Sequence, residues 1–162
     1  MRSVKSPRQD LAVRTFILDP MRRIGRAVHA DLEGLLAAIG YREVRAPHIT
    51  VFAHVPRWEG MRMSELADRM QLTPGAVSQL VAHLENLGLA ERVRDDADGR
   101  GVIVRPTRAA NRGYEASRRR LAELEEEWRA LVGPRRWATF RSVLEQVADW
   151  EDRKGAGHRR LE

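Results

Sequence analysis

The chain contains no cysteine among its 162 residues, and this absence removes several kinds of chemistry. Disulfide bonds, thiolate catalysis, cysteine-based sensing of oxidants and cysteine-ligated zinc are all excluded. The sequence also lacks an uninterrupted apolar run long enough to cross a bilayer, and no apolar core of a signal peptide follows its basic start. We therefore expect a cytoplasmic protein that makes no use of a membrane.

Lysine is nearly absent, because arginine supplies all but two of the 29 basic residues. The formal net charge of +6 favours a polyanionic partner, although a GC-rich genome also enriches arginine. The excess of positive charge is local. Residues 1–26 hold seven basic and two acidic side chains, and residues 105–120 hold six and one, whereas residues 61–108 hold seven of each.

Motifs that would indicate an enzyme are also missing. We find no nucleophile elbow, no phosphate-binding loop and no metal-binding motif, so we expect neither enzymatic activity nor a cofactor. No two histidines are spaced four residues apart, which is the spacing that two ligands on one helix would need. We therefore predict no metal site at the five histidines, His29, His48, His54, His83 and His158.

The first half of the chain reads as a series of helices. The first is predicted from an N-cap at Asp19 to Gly40, with an apolar stripe at helical spacing formed by Met21, Ile24, Val28, Leu32, Leu35 and Ile39. A second helix is predicted from Pro47 to Pro56, and a third begins at Ser64.

A fourth helix follows the third after a tight turn. Thr73 is its predicted N-cap, Pro74 its first residue, and Gly88 its stop. Its predicted inner face consists of Val77, Leu80, Val81, Leu84 and Leu87. Two short helices joined by such a turn make a helix-turn-helix.

The opposite face of this fourth helix has no long charged side chain. It carries Gly75, Ser78, Gln79, Ala82, His83 and Asn86. Small residues permit close approach to another surface, glutamine can pair with the edge of adenine, and a helix N-terminus can bind a phosphate. These residues therefore favour a helix that enters the DNA major groove, while a merely solvated face is the alternative.

A β-hairpin is predicted next. The segments "LAERVR" and "GVIVRP" alternate as two strands on either side of the polar tip "DDADG". Arg100 follows the turn, where it can enter a minor groove, and Arg92 and Arg94 lie on the first strand. Taken singly, each of these arginines is also typical of an ordinary solvated hairpin edge.

Two more helices are predicted after the hairpin. Thr107 is the predicted cap of a helix over about 108–132, and Pro134 opens a last helix to about Trp150.

At this point the residues resemble a known family. The segment "MRMSELADRMQLTPGAVSQLVAHLENLGLAERVRDDADGRGVIVRPT" is similar to the winged helix-turn-helix of the MarR family of bacterial transcription regulators. The resemblance implies a mainly α fold with a small two- to three-stranded β-wing. It also implies a homodimer that binds double-stranded DNA, usually as a repressor. In this family a small-molecule effector often lowers the affinity for DNA.

The resemblance also implies roles for individual residues of this chain. The resemblance makes Thr73, Ser78, Gln79 and His83 base-reading candidates and Arg100 the wing arginine, to which the helix and strand patterns add Gly75, Arg92 and Arg94 as DNA-binding candidates. Tyr41, His48 and Trp58 fall where the family binds its effector. The family commonly has arginine where this chain has Gln79 and an Asp–Arg pair where it has Ala82–His83. The acid that usually ties the recognition helix to the wing arginine is therefore missing.

Four segments follow from these predictions. Residues 1–43 and 109–152 are the expected helical dimerisation region, residues 44–108 the expected DNA-binding domain, and residues 153–162 an expected disordered tail. The alternative function is a winged helix that binds another protein without reading DNA. Such a module would need an apolar patch on its recognition face, which the sequence does not provide.

Overall fold

The computed structural model describes residues 16–95 and 101–158. Six helices cover most of this part of the chain: α1 (Leu18–Ala38), α2 (Ala46–His54), α3 (Met63–Met70), α4 (Pro74–Asn86), α5 (Asn111–Val132) and α6 (Pro134–His158). Three short strands complete it: β1 (Met61–Arg62), β2 (Ala90–Arg94) and β3 (Val102–Pro106). The chain divides into two compact units between Ser117 and Arg118, so that α5 contributes to both.

The first unit is built around one apolar core. Its most deeply buried side chains come from α2, α3, α4 and β3, namely Val51, Leu66, Val77, Val81, Leu84 and Val104. Leu80 and Leu87 pack against the edge of this core. The predicted inner face of α4 is therefore confirmed. On α1, Leu32 and Leu36 are buried while Met21 and Ile24 nearer its start are exposed, so only the last part of the predicted stripe joins the core.

The strands form one antiparallel sheet in the order β1-β3-β2. Val104 of β3 pairs with Met61 on one side and with Arg92 on the other. We refer to the β2–β3 hairpin as the wing. The predicted strands agree with β2 and β3, whereas β1 is too short to show any alternation in sequence. A mainly helical fold with a small wing is thus confirmed.

The side chains of His48 and Glu33 cap the start of α2. The Arg45 N–H donates to Nδ1 of His48 at 3.0 Å, and the Ala46 N–H donates to a carboxylate oxygen of Glu33 at 2.6 Å. These contacts satisfy N–H groups that the helix itself leaves without partners. Glu33 lies on α1, so the cap also joins α1 to α2.

Three predicted helix ends are wrong. Ile17, not Asp19, occupies the N-cap of α1, and the Asp19 carboxylate pairs with Arg22 instead. Thr107 does not cap α5 with its side chain, because its hydroxyl donates to the Gly88 carbonyl at 2.6 Å, and a 3₁₀ turn over Arg108–Ala110 comes before α5. The last helix continues past Trp150 to His158.

The second unit contains the rest of α5 and all of α6. Trp137 packs between Trp128 and Phe140, with ring centroids 5.8 Å and 5.7 Å away respectively. Arg141 bridges the two helices by pairing with Glu125 at 3.1 Å. None of the described helices is both long and apolar enough to span a membrane.

Candidate nucleic-acid interface

The start of α4 is fixed by local contacts. The Thr73 hydroxyl accepts a hydrogen bond from the Ala76 N–H at 3.2 Å, and Pro74 opens the helix. This is the predicted N-cap, and it holds the first turn while Val77 and Val81 anchor the helix in the core. The first turn of α4 is therefore a rigid, solvent-facing structure.

The outward side of α4 is exposed where the sequence predicts it. Gly75, Gln79 and Asn86 are exposed, and no atom lies within 4 Å of where a side chain at Gly75 would begin. Packing inside the chain therefore gives no reason for a glycine at this position. A surface that approaches α4 from outside would give one.

Two other residues of this side make contacts within the chain. Arg92 on β2 donates to the Ser78 carbonyl at 2.7 Å and approaches the Ser78 hydroxyl at 3.2 Å. The same guanidinium pairs with Glu85 of α4 at 3.2 Å. Arg92, Ser78 and Glu85 form what we call the Arg92 clamp, which fastens the wing to α4. Glu85, which we did not identify from the sequence, thus supplies an acid that ties α4 to the wing through Arg92.

His83 is turned toward α2 and is half-buried. Its ring stacks on that of His48 with centroids 4.6 Å apart and an angle of 16° between the planes. Its Nε2 is buried and has no hydrogen-bond partner among the described residues. Burial, followed by the charges of His83 and Arg45, lowers the pKa of His48. His83 therefore contributes to the α2–α4 contact.

Two wing candidates remain, Arg94 and Arg100. Arg94 is exposed near the end of β2. Arg100, with the turn before it, lies outside the described residues. At the base of the wing, Asp95 is only 5% exposed and pairs with Arg62 at 2.6 Å. Arg62 and Asp95 carry no sequence signal that would have selected them, because their pairing depends on strand order.

A cleft of about 470 Å³ opens beside α4 and the wing. Polar side chains from four elements line it, namely Arg62, Ser64, Ser78 and Arg92, together with Met63, Gly101 and Val102. Hydroxyl and guanidinium groups are the donors that commonly contact DNA phosphates. The cleft therefore offers such donors beside the exposed side of α4.

The three effector candidates have different surroundings. The Tyr41 hydroxyl donates to the Ala109 carbonyl at 2.7 Å, and His48 caps α2 and stacks on His83. Trp58 is 68% exposed, and the Arg57 guanidinium lies 4.8 Å from its ring centroid. Tyr41 and His48 thus have roles in the fold, and only Trp58 offers a largely open surface.

Within residues 16–95 and 101–158, no three or more His, Asp or Glu side chains are grouped as a metal ion would need. A capped helix-turn-helix with an uncharged outer side, joined to a three-stranded sheet, defines a winged helix-turn-helix protein.

The family follows from comparison with known proteins. The model described as "MarR family" matches residues 35–101, the part of the chain that contains the helix-turn-helix and the wing. The predicted resemblance is confirmed. No curated protein matches the chain in sequence.

Solved structures share the fold over most of the chain. One is the PcaV transcriptional regulator from Streptomyces coelicolor with its natural ligand, at 23% identity and a TM-score of 0.63, covering 87% of this chain and 97% of that one. CouR from Rhodococcus jostii RHA1 bound to p-coumaroyl-CoA has 22% identity and a TM-score of 0.66, covering 86% and 96%. The MepR–DNA complex of S. aureus has 18% identity and a TM-score of 0.65, covering 82% and 96%. The chain therefore has the fold of MarR-family transcription regulators.

Proposed function

We propose that the chain is a transcriptional repressor that binds a specific double-stranded DNA sequence as a homodimer. The observation that carries this proposal is the exposed side of α4, where Gly75 and Gln79 follow a capped first turn and no long charged side chain intervenes. A face of this kind fits the floor of a major groove, where glutamine pairs with adenine through two hydrogen bonds.

Each candidate has a distinct part in this proposal. Gln79 reads a base edge, Gly75 permits close approach, and Thr73 presents the helix N-terminus to a phosphate. Arg94 and Arg100 act from the wing, and Arg92 acts on DNA through the position of Ser78. His83 acts through α2 because its ring is stacked there.

A twofold dimer sets the form of the DNA site. Two copies of α4 related by symmetry would reach half-sites about one helical turn, ~10 bp, apart in a pseudo-palindrome. Residues 1–43 and 109–152 would form the dimerisation region around the DNA-binding part at 44–108. The described structures of PcaV and CouR with bound ligands support a small effector for this chain as well, with Trp58 the most accessible of the three candidates.

The test is a substitution at Gln79. After a bound sequence is selected from random DNA, Gln79→Ala should weaken binding to that sequence by ~1–3 kcal/mol and relax the preference at one position per half-site. Titrations of selected and scrambled DNA measure both effects. Gln146→Ala on α6 is the matched control, since it removes the same exposed amide and should leave both affinities unchanged.

Equal weakening on both DNAs would mean that Gln79 does not read bases. Failure of the wild-type protein to select any sequence would favour the alternative, a winged helix that binds another protein.

A further inference from the structure

The base of the wing contains an ion pair between a buried carboxylate and a half-exposed arginine, and the proposed DNA contacts do not use it. Arg62 Nη2 lies 2.6 Å from Asp95 Oδ2, and the Asp95 side chain is only 7% exposed. The Asp95 N–H also donates to the Gly101 carbonyl at 2.9 Å. Asp95 is therefore held both by its carboxylate and by its backbone.

The strand order makes this ion pair unusual. Arg62 lies on β1 and Asp95 follows β2. These are the two outer strands, so the two side chains together span the middle strand. Arg62 pairs with Ile103, and Gly101 stands two residues before Ile103 on the same face of the sheet. Gly101 leaves room on that face for the Asp95 carboxylate, because residue 101 has no side chain.

The space over Gly101 is already filled by the carboxylate. A Cβ added there would lie 3.1 Å from Cβ of Asp95 and 3.2 Å from Oδ2. Both distances are tighter than ordinary van der Waals contact. A side chain at position 101 would therefore push Asp95 away from Arg62.

The ion pair connects two parts of the proposed DNA-binding surface. Arg62 is the N-cap residue of α3, the first helix of the helix-turn-helix, while Asp95 and Gly101 are the residues on either side of the wing tip. The Arg92 clamp attaches the wing to α4 by a separate set of contacts. The wing is thus attached to each helix of the motif.

We propose that Arg62 is a wing-positioning residue, which fixes the base of the wing relative to α3 by pairing with Asp95, whose carboxylate lies over Gly101. Removing the Arg62 guanidinium takes a charged partner away from a buried carboxylate, which is strongly unfavourable, so we expect the wing base to rearrange when this contact is lost. This inference rests on the proposed DNA binding for its functional consequence, but its structural part can be measured without DNA.

The first arm of the test is hydrogen exchange in the free protein. Arg62→Ala should reduce protection of the Asp95 amide by about tenfold or more, while the Val81 amide in the core of α4 keeps its protection. Arg69→Ala is the matched control, because it removes an exposed arginine of α3 that pairs with Glu65 at 2.8 Å. Equal loss at Asp95 and Val81 would indicate general destabilisation and overturn the positioning role.

The second arm is DNA affinity on the selected sequence. Arg62→Ala and Gly101→Ala should each weaken binding by roughly tenfold, and their combination should weaken it little further because both break one contact. The double variant with exchanged charges, Arg62→Asp with Asp95→Arg, should bind the selected DNA more tightly than either of these substitutions alone.

The two arms separate the possible failures. Unchanged Asp95 protection in Arg62→Ala overturns the positioning role and leaves the proposed function intact. Loss of Asp95 protection with normal DNA affinity also overturns it, since the wing would then not need this position. If the wild-type protein binds no selected DNA, the proposed function fails, while loss of Asp95 protection in Arg62→Ala still supports the positioning of the wing base.

Discussion

Gly75 is the second residue of α4, and nothing in the chain requires a glycine there. The position where its Cβ would begin is open, and its backbone is not in the left-handed region that favours glycine. Alanine would stabilise this helix by up to ~1 kcal/mol, because glycine gains more backbone freedom on unfolding. A residue that reduces stability without an internal reason points to a function outside the chain.

We expect Gly75→Ala to separate stability from DNA binding. The free energy of unfolding should rise by up to ~1 kcal/mol. Affinity for the selected DNA should fall by ~1–3 kcal/mol, the usual cost of an added methyl group in a packed contact. Gly34→Ala on α1 is the matched control, since its added Cβ also meets no atom within 4 Å. Denaturant titration measures the free energy of unfolding of both variants, and DNA titration measures their affinity for the selected DNA. Unchanged DNA affinity in Gly75→Ala would place that residue outside the interface.

The contact between α2 and α4 joins the proposed effector region to the proposed reading helix. His48 from α2 and His83 from α4 stack at its centre. Burial and the charges of His83 and Arg45 hold the pKa of His48 below its ordinary value of 6.5, while Glu33 acts in the opposite direction. The folded protein therefore favours the neutral form of His48 more than the unfolded chain does.

This difference makes the α2–α4 contact sensitive to acid. Because the unfolded chain takes up the proton more readily, the contribution of His48 to stability is complete above pH 6.5 and is lost as the pH falls below it. Denaturant titrations on either side of that pH should show a smaller fall in the free energy of unfolding for His48→Asn than for the wild type. The amide oxygen of asparagine can still accept the Arg45 N–H. His29→Asn, which leaves the stack intact, should behave as the wild type does. An identical fall in His48→Asn and the wild type would contradict the expectation.

The elements differ in how far the sequence predicts them. The bounds of α4 follow from signals within a few residues, namely Thr73, Pro74 and the spacing of the apolar residues. The predicted caps at the starts of α1 and α5 were wrong because Asp19 and Thr107 have partners other than the expected N–H groups. A capping residue type shows that a cap is possible, while competing contacts decide whether it forms.

The candidate site was predictable only where it faces solvent. Gly75 and Gln79 are exposed as the helical spacing requires, since that spacing depends on the core face alone. The inward contacts of Ser78 and His83 depend on Arg92 and His48, which lie on other elements. The strand β1 could not be foreseen because two residues show no alternation, and with it the Arg62–Asp95 pair was also missed.

At the scale of the molecule, most of the large apolar side chains that are exposed among the described residues lie in or beside two helices. One group lies at and before the start of α1 and includes Phe16, Ile17, Leu18, Met21 and Ile24, and the other follows one side of α6 with Phe140, Val143, Leu144, Val147 and Trp150. Soluble monomers rarely leave such continuous stripes in water. Both stripes belong to the segments that we propose for dimerisation, and a second copy of the chain is the partner that would cover them.

A charge within the α6 stripe should therefore dissociate the dimer. Val147→Glu places a carboxylate where a partner would bury it, which should weaken dimerisation by roughly a hundredfold or more because a buried unpaired charge costs several kcal/mol. Sedimentation velocity at micromolar concentration should show a dimer for the wild type and a monomer for the variant, with DNA affinity reduced as the second half-site contact is lost. Ser142→Glu adds the same charge on the side of α6 away from the stripe and should remain dimeric. A folded wild-type monomer, or equal behaviour of the two variants, would exclude this stripe as the interface.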